Sequence, residues 1–414
     1  MTQAKGSNAY LAIQQEGAAY KTDPLTPATT KIYFESESMG KTLGLNDSAI
    51  IRGNRNAAAP SRGNVEVAGG ISTELMAGLG PLLYGAFGSI ATAANAGTGE
   101  AVGTALTTPA GVIDSTNQTL TVTVTSHGIA LGDMVQIAGL TAPTSLNGLY
   151  CRCIAVTSVN VFVLRIPVGT TSTYTLGSGT LKKLTTAATT YAHTLKIGSN
   201  LPSFVVEKGF PDIGQYFKYN GCKVGKFSLD ITPSGSQKVS FDLMGAKETV
   251  STSAFVAPTD PGKATFDGLA IGTIEEAGVA IATVSSISGL TVDNGLDGDT
   301  FLIGGAGERG AVNEGLVKVS GSLKALFENA TLYTKALNST ESSLRVVYTR
   351  GTGAGTLSNE SFEIKLPELI FGVKTPAVDK PGGMWVELEF QAYYDNGAEA
   401  TTAQIILKNN VAAI

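Results

Sequence analysis

Histidine is almost missing from this 414-residue chain, which has only His127 and His193, far apart and each without a second ligand-type residue close by. Metal centres recruit His and Cys at short spacings, so this pattern argues against one. Cysteine is scarce too. Cys151, Cys153 and Cys222 give no disulfide framework, and Cys151-x-Cys153 is one residue tighter than a C-x-x-C pair. On a strand those two would share a face, so all three read as small core residues made in a reducing cytosol. No basic cluster exceeds Lys182-Lys183 and the net charge is −5, which excludes the phosphate-neutralising surface of a duplex-binding protein. The longest mild apolar run, from Leu79 to Ala94, is broken by Gly80, Pro81, Gly85 and Gly88. It falls short of the ~18 apolar residues of a spanning helix. Met1 to Lys5 lacks the apolar stretch of a secretion signal. No Gly-x-Ser-x-Gly elbow occurs and no triad suggests itself, so the chain reads as non-enzymatic and cofactor-free.

Charged residues are also few, at 15%, while glycine numbers 50. The mean hydropathy is +0.15. A chain this poor in charge, with no membrane span, is expected to cover much of its surface with copies of itself.

What is present is an internal repeat. Gly63-Asn-Val65-Glu-Val67-Ala-Gly69-Gly-Ile71 is echoed by Gly315-Leu-Val317-Lys-Val319-Ser-Gly321-Ser-Leu323, an offset of 252 (315 minus 63). Without a gap, Asp47-Ser-Ala-Ile-Ile51 falls on Asp299-Thr-Phe-Leu-Ile303. The period-two alternation predicts a half-buried strand in each copy. Each strand runs into a helical patch, Leu75, Leu79, Leu82, Leu83 and Phe87 in the first copy and Leu326, Phe327, Tyr333 and Leu337 in the second. Pro81 marks a short first helix or its start. Three more strands follow each patch. In the first copy they are Phe204–Glu207, Cys222–Leu229 and Val239–Gly245, with a turn at Pro233 to Gly235. In the second they are Leu344–Val347, Phe362–Leu366 and Trp385–Ala392.

The fold class is therefore mainly β: two tandem modules of antiparallel sandwich or barrel sheets, each with one short helix. Residues 1–95 and 187–256 form the first module and 257–414 the second. Residues 96–186 interrupt the first with strand patterns at Leu120–Val124, Met134–Ile137, Tyr150–Ile154 and Val161–Leu164. Turn signals at His127-Gly128, Gly132-Asp133 and Asn147-Gly148 separate them, and the segment reads as a small inserted β-barrel.

Three features invite a chemical reading and do not sustain it. Gly305-Ala-Gly307-Glu-Arg-Gly310 spells a dinucleotide fingerprint after an apolar strand, Phe301–Ile303. That chemistry needs a helix to start at the loop, whereas a period-two strand follows. Glu275-Glu276, Glu387 and Glu389 could suggest acid–base work, but the latter two share a strand face opposite Val386, Leu388 and Phe390. Such a face is solvated, or lines a lumen. Arg52, Arg55, Arg62, Glu308 and Arg309 lie in loops at equivalent ends of the two modules, as surface charge or as contacts bridging stacked copies.

The segments Gly63–Gly69 leading to Leu82-Leu83, Pro202–Gly209, Tyr219–Val224, Phe241–Gly245, Leu366–Leu369 and Glu389–Ala392 resemble the siphophage tail tube proteins that carry a doubled tube fold. These are the major tail tube proteins of long non-contractile-tailed bacteriophages. The resemblance spans nearly all of the chain outside the insertion. It implies a structural virion protein, assembled in the bacterial host cytoplasm, whose sheets join edge to edge into stacked rings around a channel for DNA. It further implies trimeric, pseudo-sixfold rings, passage of DNA without specific binding, no membrane, and three partners: a tape-measure protein, a distal tail protein and a tail terminator. A surface adhesin whose insertion binds a glycan is the alternative reading.

Overall fold

The computed structural model describes residues 3–17, 19–94, 102–106, 110–140, 144–166, 180–184, 190–262, 264–378, 382–412 and 414. Among these the regular structure is overwhelmingly antiparallel strand, with two short α-helices, α1 (Gly80–Phe87) and α2 (Thr331–Leu337). The mainly β class read from the sequence is what the chain adopts.

The strand pairings come in two sets with the same order. In the first, Tyr10–Gln15 pairs with Phe204–Phe210, which pairs with Gln215–Ile231, then Lys238–Gly245, then Ser61–Glu74, and last Ser36–Glu37 with Gly40–Asn46. In the second, Ile271–Glu276 pairs with Ser342–Thr349, then Ser361–Phe371, Trp385–Tyr393, Lys318–Leu326 and Val284–Asp293. The strand bearing Gly-x-Val-x-Val-x-Gly leads into the helix in both.

The repeated glycines have a packing reason. A Cβ on Gly69 would stand 2.5 Å from the Met39 backbone, and one on Gly321 would meet the Phe390 ring at 2.6 Å and Leu290 Cα at 3.2 Å. Met39, in the break between Ser36–Glu37 and Gly40–Asn46, and Leu290, on Val284–Asp293, occupy matching places beside the glycine strands of the two sets. Backbone cannot step aside as a side-chain tip can, so the strands approach this closely only where a Cβ is missing.

Helix α1 begins at Gly80 with Pro81 in its first turn and stops at Gly88, whose φ of +80° is left-handed. Leu75 and Leu326 lie outside the helices, because the strands extend to Glu74 and Leu326 before the chain turns. The two helices are not equally covered. Leu82, Leu83 and Phe87 of α1 are sealed in the core, whereas α2 buries only Ala336 and leaves Leu337 57% exposed. One hydrophobic core runs through both sets, including Phe87, Phe227, Phe241, Phe266, Tyr348 and Phe362.

The strands between residues 102 and 184 form a separate seven-stranded sheet with its own core around Leu120, Val122, Val135, Cys153, Phe162 and Leu164. Its order runs Val102–Leu106, Thr180–Leu184, Met134–Ala138, Tyr150–Ser158, Val161–Arg165, Thr119–Thr123, Ala110–Asp114. Among the described residues the sheet is a half-barrel, with Val102–Leu106 paired to Thr180–Leu184 and Ala110–Asp114 paired to Thr119–Thr123. The two strands at the stem zip to each other, and among the described residues Ala110–Asp114 pairs on one side only. His127 holds its turn as expected: its Nδ1 accepts the Ile129 amide at 2.9 Å and its ring packs on Phe162. The insertion meets the main body through Met134, Tyr150, Tyr191, Ala94 and Ala412. The expected boundaries at 95–96 and 186–187 lie outside the described residues.

Candidate assembly surface

The long strand Gln215–Ile231 belongs to two layers. Tyr216–Asn220 pairs with Lys247–Ser251 in one, and Lys223–Asp230 pairs with Lys238–Met244 in the other. Its second half also meets Val284–Asp293, the last strand in the pairing order of the other set: Lys226 opposite Asp293, Phe227 opposite Val292, Ser228 opposite Thr291, Leu229 opposite Leu290. This joint makes one continuous sheet with strands from both sets. Its core side is dry, with Phe227, Leu229, Leu290 and Val292 at most 1% exposed.

The opposite face of this sheet follows directly from the pairing registers. Because side chains alternate along every strand, residues opposite one another form rows across the sheet. One row reads Asp242, Lys226, Asp293, Lys318, alternating in sign. The next reads Ser72, Ser240, Ser228, Thr291, Ser320, Gln391, all uncharged and mostly hydroxyl, with Ser228 Oγ 3.2 Å from Thr291 Oγ1. Glu74 and Lys238 face each other in a third row, while Lys324 and Glu387 do so in a fourth. Glu387 and Glu389 lie on this exposed face, as their alternation predicted. Glu275 and Glu276 sit elsewhere and are paired, Glu275 with Arg345 at 3.0 Å and Glu276 with Lys335 at 2.6 Å.

The loops after the matching strands Gly40–Asn46 and Val284–Asp293 differ. The second is strapped across the ends of the first set's strands. Asn294 Nδ2 donates to Ala86 O and Val224 O, Lys223 Nζ donates to Val312 O, and the Val65 amide donates to Gly307 O at 2.8 Å. Arg309 is turned inward and is 6% exposed. Its Nε donates to Gly298 O at 2.8 Å, and its Nη1 donates to Val67 O and Gly245 O at 3.1 and 2.9 Å. Glu308 pairs with Lys21 at 3.5 Å within the chain. Within the single chain both residues thus have partners of their own, because the strap folds back onto the first set's strands. Residues 301–303 are likewise not a strand: Phe301 makes a single bridge to Arg309 and the chain turns there. Residues 305–310 lead to no helix, as their position in the repeat predicted.

The first loop, Asp47 to Pro60, is exposed along nearly its whole length. Arg52 and Arg55 stand there with Ile50 and Ile51, which are 71% and 94% exposed, and Arg62 is exposed on the strand that follows. The structure does not bring these arginines to Arg309. Nothing in the amino-acid order signals the strap's asymmetry, since the echo across 47–51 and 299–303 reads the same in both copies.

The buried titratable groups are structural. His193 lies on the strand Tyr191–Ile197, which is flanked by Gly88–Ala94 on one side and Gln404–Asn409 on the other. Its Nδ1 is 2.9 Å from Thr92 Oγ1, and its Nε2 is near Asn409 Oδ1 and Val411 O at 3.1 and 2.9 Å. Burial pulls its pKa down to about 4. Cys151, Cys153 and Cys222 are free and buried, and burial pushes the Cys151 thiol up to about 12.

The scaffold is a doubled β fold, and among the described residues Gly40–Asn46 at one end of its continuous sheet pairs on one side only. The chain matches the family model described as phage tail tube protein over residues 6–392, and it belongs to that family. It is a structural component of the phage tail, of a kind that assembles with itself and with other tail proteins. A comparison with curated proteins finds no match. Among the described residues no helix is long and apolar enough to cross a membrane.

Proposed function

We propose that this chain closes rings of three copies, and that the rings stack into the tube through which the phage ejects its DNA. The joint between Lys223–Ile231 and Val284–Asp293 carries this reading. It is a strand-to-strand seam between two equivalent units, already made inside one chain, and repeating it between chains closes a barrel and removes exposed edges. Two fused modules per chain make three chains equal to six units. Assembly takes place in the host cytoplasm, and the tape-measure, distal tail and terminator proteins of related tails are the partners it would meet.

The exposed face of the continuous sheet is the channel wall in this reading. Its cations, Lys226, Lys238, Lys318 and Lys324, each stand opposite a carboxylate. The net attraction that binds phosphates through unpaired Lys and Arg is therefore absent from the rows that pair them. A row of hydroxyls between charged rows offers passing DNA hydration without a fixed charge to hold it. Arg52, Arg55 and Arg62, exposed at the sheet's end, serve contacts between copies.

Native mass measurement with negative-stain imaging of the purified protein tests this. Rings of three chains that elongate into tubes are expected. Rings of six chains would refute the ring number, and a protein that stays monomeric at high concentration would refute assembly itself.

A further inference from the structure

We infer that the contact between neighbouring copies in a ring is a copy of the joint inside the chain: Gly40–Thr42 of one copy pairs antiparallel with Gly372–Lys374 of the next, and the loop from Asp47 to Pro60 straps across that next copy. This rests on the ring assembly proposed above and adds the strands, the register and the strap.

The register comes from transferring the internal joint across the repeat. Asp293 lies opposite Lys318, and Thr42 lies opposite Glu66. Lys318 and Glu66 are 252 apart (318 minus 66), so Thr42 is the counterpart of Asp293. On the other side, Lys226 lies opposite Asp242, which lies opposite Gly70. Gly372 donates its amide to Glu389 O, and Glu389 lies opposite Ser322, again 252 beyond Gly70 (322 minus 70). Gly372 is thus the counterpart of Lys226. The pairing Lys226 to Asp293 becomes Gly372 to Thr42, Phe227 to Val292 becomes Val373 to Lys41, and Ser228 to Thr291 becomes Lys374 to Gly40.

Both edges are open in the single chain. Among the described residues Gly40–Asn46 pairs on one side only, with Ser61–Glu74, and residues 41–46 are all exposed. Gly372 to Thr375 is exposed throughout, with Val373 at 52%, although its counterpart Phe227 is fully buried. Pro376, which has no amide to give, falls at the counterpart of Asp230, where the internal joint itself slips register between Leu229 and Ile231.

The strap supplies a second, separate observation. Inside the chain, residues 294–314 cover the C-terminal end of α1 and the Val65 amide. The matching places in the second set lack their cover: Leu337 on α2 is 57% exposed and Leu316, beside Val317, is 83% exposed. The loop that would supply it, Asp47 to Pro60 with the exposed Ile50 and Ile51, lies open to solvent in its own chain. Open edge, uncovered helix end and unused loop each fit a second copy set in the internal geometry.

A cysteine pair tests the register in the full-length chain. Thr42→Cys with Gly372→Cys should give covalently linked multimers on mild oxidation of assembled rings. The yield should exceed at least tenfold that of Thr42→Cys with Lys374→Cys, which is two residues out of register. Gly372 has room for the change, its nearest contact to an added Cβ being Glu389 O at 3.6 Å. A charge swap guards against misfolding: Val373→Lys sets a like charge opposite Lys41 and should abolish rings while the monomer keeps its melting temperature. Adding Lys41→Glu should restore them. Rings that form normally but link no better at 42/372 than at 42/374 would overturn this joint and leave the ring reading standing. Failure of the unaltered protein to form rings would overturn both.

Discussion

Lys226 stands directly opposite Asp293 where the two repeated strand sets meet, and each has a further opposite charge on its other side, Asp242 and Lys318. Across a sheet, opposed charges at such positions contribute a few tenths to about 1 kcal/mol each, and like charges cost as much. Lys226→Glu is therefore expected to lower the stability of the monomer by about 1 kcal/mol. Asp293→Lys added to it should recover most of the loss. A urea-denaturation double-mutant cycle measures the coupling, and additive single effects would mean that the pair does not interact.

Gly69→Ala should be far more damaging than Gly70→Ala, although the two are neighbours. The added methyl at 69 meets the Met39 backbone at 2.5 Å, while at 70 it meets a movable side-chain atom, Asp242 Oδ1, at 3.2 Å. Overpacking against backbone costs about 1–3 kcal/mol. Thermal melts of the two variants would show the contrast.

Arg309→Met keeps the aliphatic stem but removes the donors to Gly298, Val67 and Gly245. Leaving such buried carbonyls unpaired costs about 1–3 kcal/mol for the group. The strap should loosen with it, and limited proteolysis should cut within residues 298–312 at a much higher rate than in the unaltered chain.

His193 gives the fold an acid sensitivity. Its folded pKa of about 4 lies below the 6.5 of an unfolded histidine, so the unfolded chain binds the extra proton between those values. Stability is then full above about pH 6.5 and falls as pH drops toward 4, by at most about 3 kcal/mol over the window. His193→Gln should flatten this part of the stability–pH curve, which denaturation midpoints from pH 4 to 7 would reveal.

Ala94 and Tyr191 are directly paired at the base of the insertion. Replacing residues 95–190 with a two-residue Asn-Gly turn should therefore join the strands as an ordinary hairpin. The shortened chain is expected to fold, with a modest loss from exposing Tyr191, and to form rings of smaller outer width in negative stain. Loss of rings with the fold intact would show that the half-barrel takes part in assembly.

The amino-acid order alone determined the repeat, the strand character of both copies, the placing of Pro81 in the first turn of α1 and the strand patterns of the insertion. These are local properties: period-two alternation, glycines at close approaches and turn residues act over a few positions and recur wherever the pattern recurs. Only the tertiary structure decided how the copies are used. Arg309 and Arg55 are both loop arginines in sequence, yet one is buried beneath carbonyls and the other faces solvent. The strap after Asp293 finds the first set beside it in the same chain, and the loop after Asn46 has no such neighbour among the described residues. The same reason separates Phe227, sealed by Val292, from Val373, which is left in the open. Pairing across the joint depends on which strand lies next in space, and no residue carries that information by itself.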